Sequence, residues 1–164
     1  MGLELIQYCR NGHTLTVREQ YYGHRAKRDF VLSTQAEWER RNRQPFCTQC
    51  GAPTLTTCES CKARIRDGKR PSFCGQCGKP FPWTVTALEA ANAYADELDL
   101  TADEKSTLKV TMNDLTADTP RTELAAHRFK NLLVKLGPIA GEALKTIVVN
   151  FATEAAKRLI DVRL

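Results

Sequence analysis

Eight side chains in the first half of this chain have the identity and spacing of metal ligands. They fall into four pairs: Cys9 with His13, Cys47 with Cys50, Cys58 with Cys61, and Cys74 with Cys77. All seven cysteines are used and none is left over. Two residues between paired cysteines let one tight turn aim two sulfurs at the same ion, and four thiolate or imidazole donors complete a tetrahedral zinc shell. Four pairs therefore make two closed sites. A closed shell keeps no position for water or substrate, so the expected chemistry is structural: two zinc ions that cross-link the chain. Iron in a rubredoxin-like knuckle or an iron–sulfur cluster would use the same sulfur donors. A thioredoxin-like redox pair wants a βαβ context that this sequence lacks.

The elements that must hold these ligands are short. Leu3–Tyr8 and Thr14–Glu19 alternate in strand fashion around Asn11-Gly12, a hairpin turn signal, with Cys9 and His13 on either side of it. A loop over Tyr21–Pro45 follows, with one or two helical turns in Ala36–Arg43. Phe46–Gly51 reads as a ribbon knuckle, and its glycine suits the positive φ that follows the second cysteine. The spacer between Cys61 and Cys74 suits two strands and a turn near Arg66–Gly68. Neighbouring knuckles are expected to share an ion, with Cys9, His13, Cys47 and Cys50 on one and Cys58, Cys61, Cys74 and Cys77 on the other. A cross-braced arrangement, joining Cys9 and His13 to Cys58 and Cys61, is the alternative.

Composition changes sharply along the 164 residues. The cysteines and most of the prolines lie before residue 83, and alanine, leucine and helix-favouring charges follow. The expected class is α+β: a small β-rich double zinc ribbon over 1–85, then an α-helical domain of three or four helices over 86–164. Thr86-Ala-Leu-Glu89 and Thr101-Ala-Asp-Glu104 read as capping boxes, each ahead of apolar residues at helical spacing. Thr119-Pro120 reads as a third start, for a helix that runs through Phe129 and Leu133 to a stop at Gly137-Pro138. A last helix is expected from about Pro138 to Leu159. Its face of Ile139, Ala143, Ile147, Phe151, Ala155 and Leu159 is the candidate surface for assembly with another copy or a partner protein.

The zinc-rich half has its own vocabulary. It contains Tyr8-Cys9 with Gly12-His13, Phe46-Cys-x2-Cys-Gly-Ala52, Thr57-Cys-x2-Cys61 with Ile65-Arg66, and Phe73-Cys-x2-Cys-Gly-Lys-Pro-Phe-Pro-Trp83. Further on come Asp118-Thr-Pro-Arg-Thr122, Ala125-Ala126 and Arg128-x-Lys130. Together these strings resemble an uncharacterised bacterial family with an N-terminal zinc-ribbon pair and a helical C-terminal part. The resemblance covers most of the chain and implies that fold and a bacterial origin, but no activity. Its members carry a longer glycine- and aromatic-rich insert between the third and fourth knuckles, where Asp67–Ser72 is short here.

The formal charge is +5, and deprotonated zinc-bound thiols lower it to +2 with both metals in place. What basic excess there is lies in residues 1–86, which hold 14 Lys/Arg against 7 Asp/Glu. No serine or cysteine nucleophile has a visible base, and no phosphate-binding glycine loop is present, so an enzyme is not expected. His24 and His127 read as a solvated loop residue and a helix-edge residue. The primary expectation is a binding or adaptor protein, with the ribbons as a rigid surface and the helices for protein–protein assembly. The alternative is a nucleic-acid-binding zinc ribbon, using Arg40, Arg41, Arg43, Lys62, Arg64, Arg66, Lys69 and Arg70, with Tyr21, Tyr22, Phe73 or Trp83 to stack bases. A small effector acting at membranes is a second alternative, opposed by Glu142 and Glu154 on the last helix. The N-terminus has no signal-peptide pattern and no run is apolar enough to span a bilayer, so the cytoplasm is the expected compartment.

Overall fold

The structure, a computed structural model, describes residues 3–19, 37–65 and 70–161. The chain divides into two compact units, Met1–Pro82 and Trp83–Leu164.

The first unit is built on a three-stranded antiparallel sheet. Strand β1 (Leu3–Cys9) lies between β2 (Thr14–Glu19) and β3 (Thr54–Leu55). Register is set by Leu5 opposite Val17 and Tyr8 opposite Thr14 on one side, and by Cys9 opposite Thr54 on the other. The central strand is the most buried, with Leu5, Gln7, Tyr8 and Cys9 all inside. A buried amide must find partners, and Gln7 finds three. Its Nε2 donates to the Gln44 carbonyl and to Thr54 Oγ1, each at 3.1 Å, and its Oε1 accepts from the Gln44 amide at 2.9 Å. Gln44 is thereby held on both its backbone groups by one side chain. Residues 37–42 are helical, within the stretch read from sequence as one or two helical turns. The spacer after Cys61 differs from expectation. Instead of two strands, its ends make the isolated bridges Thr57–Arg64 and Phe73–Pro80, because each knuckle closes on itself; residues 66–69 lie outside the described residues.

Among the described residues four helices follow, in the second unit but for the first residue of α1: α1 (Pro82–Glu97), α2 (Ala102–Asp114), α3 (Thr122–Val149) and α4 (Glu154–Asp161). Their buried faces meet in one cluster that includes Ala91, Leu108, Met112, Phe129, Leu144, Val148 and Ile160. The capping box of α2 forms as expected. The Glu104 amide donates to Thr101 Oγ1 at 3.3 Å, and the Thr101 amide donates to Glu104 Oε2 at 3.0 Å. Glu104 also pairs with Lys135 of α3, and that hydrogen bond, with those from Thr101, pulls its carboxyl down to about 2.

Three helix boundaries differ from the sequence reading. α1 starts at Pro82, not at Thr86, since a proline needs no amide partner in a first turn. α3 starts at Thr122, because the Thr122 hydroxyl is drawn into the preceding loop, accepting from the Thr119 amide and donating to the Ala117 carbonyl, both at 2.9 Å. The expected single helix from Pro138 to Leu159 is two pieces. The chain breaks after Val149 and restarts at Glu154, where Thr153 Oγ1 accepts from the Ala156 amide at 3.1 Å and the Thr153 amide donates to the Leu115 carbonyl at 3.0 Å. Phe151 and Ala152 turn into the core at this break. The six-residue apolar face therefore does not exist as one stripe. Ile139 and Ala143 are exposed, Ile147, Ala155 and Leu159 are half-buried, and Phe151 is inside.

At Gly137-Pro138 the sequence reading is closer. Gly137 sits at φ 76° and ψ 178°, a glycine conformation, and the helix resumes with Pro138 in a new direction. The bend packs tightly: a Cβ on Gly141 would lie 2.8 Å from the Leu133 carbonyl oxygen. Among the described residues no helix is long and apolar enough to cross a membrane.

Candidate metal centres

The ligand pairs are presented by small backbone loops of one design. In the second pair, the Cys47 amide donates to the Ala52 carbonyl and the Gly51 amide returns to the Cys47 carbonyl, both at 2.8 Å. The third pair repeats this with Cys58, Ala63 and Lys62, and the fourth with Cys74, Lys79 and Gly78. Such a loop requires positive φ after its second cysteine. Gly51 (φ 69°) and Gly78 (φ 70°) supply it without a Cβ penalty, whereas Lys62 (φ 62°) adopts it as a non-glycine residue. The first pair uses a different turn, in which Gly12 at φ 85° donates to the Cys9 carbonyl and the Cys9 amide reaches the His13 carbonyl.

These loops bring the eight ligands into two groups. Cys9, His13, Cys47 and Cys50 form one, and Cys58, Cys61, Cys74 and Cys77 the other, with the ligand atoms of each group within 4.8 Å of one another. The grouping is the sequential one; the cross-braced alternative is not what the chain adopts. A tetrahedron with sulfurs about 2.3 Å from its centre has edges of about 3.8 Å, or about 3.5 Å where one donor is a nitrogen about 2.0 Å away. The distances match. Cys58 to Cys77 is 3.8 Å, Cys61 to Cys74 is 3.6 Å, and Cys9 to Cys50 is 3.8 Å. His13 Nδ1 lies 3.3 Å from Cys50 Sγ, 3.5 Å from Cys9 Sγ and 3.7 Å from Cys47 Sγ. Both groups are the right size and donor type to hold one metal ion each.

The surroundings draw three of the thiols toward thiolate and hold two others back. Amides of Gln76 and Cys77 point at Cys74 Sγ and pull that thiol down to about 6. The Ala52 amide lowers Cys50, and the Cys61 and Ser60 amides lower Cys58. Burial raises Cys9. At Cys61 the Ala63 amide is outweighed by burial and by the sulfurs of Cys77, Cys74 and Cys58, which push the thiol up to about 11. Four sulfurs this close cannot all ionise by themselves; a central dication would remove the conflict by replacing the protons. Around the first group, Asn11 Nδ2 donates to Cys50 Sγ at 3.5 Å and the His13 amide to Cys9 Sγ at 3.2 Å.

The two groups are tied together by arginines. Arg10, beside Cys9, pairs with Glu59 of the third knuckle at 3.0 Å, and Arg70 Nη1 donates to the Gly12 carbonyl at 2.7 Å. Arg64 forks onto Glu39 at 3.1 and 3.3 Å, and Lys62 Nζ donates to the Glu59 carbonyl at 2.9 Å. Lys62, Arg64 and Arg70, read from sequence as nucleic-acid contacts, thus make internal bonds. Arg66 and Lys69 lie outside the described residues, as do Tyr21, Tyr22 and His24. Arg40, Arg41 and Arg43 are exposed. Of the stacking candidates, Trp83 is buried and Phe73 half-buried. His127 is exposed on α3, with Asn131 3.4 Å away. Among the described residues, the large aromatic side chain that faces outward is Phe46, 61 % exposed, which sequence reasoning passed over. A signal for it exists. Arg43–Pro53 (RQPFCTQCGAP) and Arg70–Pro80 (RPSFCGQCGKP) are an internal repeat in which Phe46 corresponds to Phe73.

A family model described as an uncharacterised protein conserved in bacteria, DUF2321, matches residues 3–160. No curated protein and no solved structure matches the chain.

Proposed function

We propose a binding role for this chain, which belongs to that uncharacterised bacterial family: a non-enzymatic interaction protein whose metal unit is a rigid surface and whose helical unit serves assembly. Each Cys/His group holds one structural zinc ion. Zinc would supply a cross-link between two knuckles and a counter-charge for their thiolates, with no chemistry on a substrate. The observation that carries this reading is the closure of both shells. Each group draws four donors from the chain itself, at the spacing of a tetrahedron. For the helical unit, the support is exposed apolar surface on α3. Leu124, Val134 and Ile139 are all outward, Ile139 at 88 %. Val134 also lines a cavity of about 420 Å³ at the Gly137 bend, together with Lys130, Pro138, Glu142 and Ile160. That combination suits an apolar side chain offered by another protein.

Native mass spectrometry tests the metal part. Two zinc ions per chain are expected, and Cys58→Ser should keep one. A variant that keeps both, or a wild-type protein without metal, sinks it. Light scattering of the wild type and Ile139→Lys tests the assembly part. A drop in mass, or loss of a co-purifying protein, supports it; identical behaviour in both measurements opposes it.

A further inference from the structure

The internal repeat sets its two phenylalanines differently. In the second copy, Arg70 reaches the Gly12 carbonyl and Phe73 is half-buried, so both take part in holding the unit together. In the first copy, the corresponding Phe46 is exposed, and Arg43 is as exposed to solvent as Arg70 is. The backbone of the two copies is otherwise alike. The Thr54 amide donates to the Pro45 carbonyl as the Phe81 amide does to Ser72, both at 3.0 Å, and Phe46 bridges to Pro53 as Phe73 does to Pro80. The outward pair is also rigidly mounted. Gln44, between them, is clamped on both backbone groups by the buried Gln7, and Phe46 is held by its neighbour Cys47, a member of the first metal group. A large aromatic ring left in water on a fixed backbone contributes little to this fold.

We infer that this edge of the metal unit, Phe46 with Arg40, Arg41 and Arg43, binds single-stranded nucleic acid, the ring stacking on a base and the guanidinium groups meeting the adjoining phosphates. An aromatic face offered to solvent beside basic groups is the common platform for unpaired bases, because every base has a π-face to stack. Three residues of extended chain separate Arg43 from Phe46 by at most about 10 Å, so a base and its neighbouring phosphates come within reach together. The sign of the charge agrees: the arginines at 40, 41 and 43 are exposed, and residues 1–86 carry the basic excess of the chain. The inference rests on the reading of the metal unit as a binding surface, and names its ligand.

The test is fluorescence anisotropy of the metal-loaded full chain with labelled oligo(dT) and oligo(U) twenty nucleotides long, across a salt series. Binding is expected at low salt, with a log–log slope of about −2 for three neutralised phosphates. Phe46→Ala should weaken it about five- to a hundredfold, while Phe46→Trp keeps it. Arg43→Gln should flatten the slope by about 0.7. The inference is overturned if neither oligonucleotide binds while metal analysis shows both ions present, or if Phe46→Ala binds as the wild type does. Competition by polyglutamate of equal charge, as effective as unlabelled oligonucleotide, would also overturn it and assign the surface to acidic peptides. Failure of the metal reading appears separately, in the ion count of the same sample.

Discussion

Among the described residues, the first unit buries five apolar side chains other than cysteine, namely Leu5, Tyr8, Leu15, Ile65 and Phe81. The helical unit buries sixteen in one connected cluster. Five side chains cannot offset the ordering of about sixty described residues, at roughly 1 kcal/mol or more each for the backbone alone. Both candidate metal groups lie in the first unit, so on the reading proposed above an ion in each tetrahedron would supply the cross-links that its apolar side chains do not. On that reading the same chain solves one stability problem in two ways, with short sheet pairings and metal cross-links in one half and side-chain packing in the other.

Four measurements can break this contrast or sharpen it. Chelation should have the largest effect. Structural zinc contributes about 10–16 kcal/mol in zinc-finger peptides, so metal removal should unfold the first unit while helical circular dichroism largely persists. Collapse of both signals together would break the comparison. Phe129→Ala comes next. The ring is fully buried in the helical cluster, and its loss should cost about 3–5 kcal/mol in denaturant unfolding with two ions still bound. Gly141→Ala should destabilise the helical unit by about 1–3 kcal/mol, because a Cβ 2.8 Å from the Leu133 carbonyl oxygen forces the backbone apart at the bend. An unchanged or raised midpoint would show that the bend relaxes freely. Lys62→Gly should have the smallest effect, a gain of at most about 1 kcal/mol read as slower zinc loss to a chelator, because glycine carries positive φ without strain but loosens the unfolded chain. Faster zinc loss would mean that the Lys62 bond to the Glu59 carbonyl outweighs the strain.

How much of this was visible in the residues alone depends on how local each feature is. The grouping of the cysteines and His13 into two clusters was legible, since Cys-x2-Cys is a short-range geometric statement and neighbouring pairs in the chain share a cluster. The strands around Asn11-Gly12 and the capping box at Thr101 were legible for the same reason. The break at Asn150–Thr153 was not. A four-residue apolar period continues straight through it, and only the pairing of the Thr153 amide with Leu115, distant in sequence, shows why the helix stops. Thr86 misled because it satisfies a capping pattern while lying one turn inside a helix begun by Pro82. Phe46 and Phe73 have nearly identical local sequence, which does not distinguish the exposed ring from the half-buried one. Likewise nothing near Arg64 or Arg70 foretold Glu39 or the Gly12 carbonyl as partners.

The amide of Gln7 has one more consequence. Residues two apart on a strand share a face, so Gln7 and Cys9 look the same way from β1. Sliding that strand by a single position would turn both over at once. The misaligned hairpin would then carry two faults together, a dry carboxamide with nothing to bond and a sulfur aimed away from its ion. On the metal reading proposed above, ion capture at the first cluster would depend on strand alignment, and a loaded cluster would report that the hairpin beneath it has closed in step.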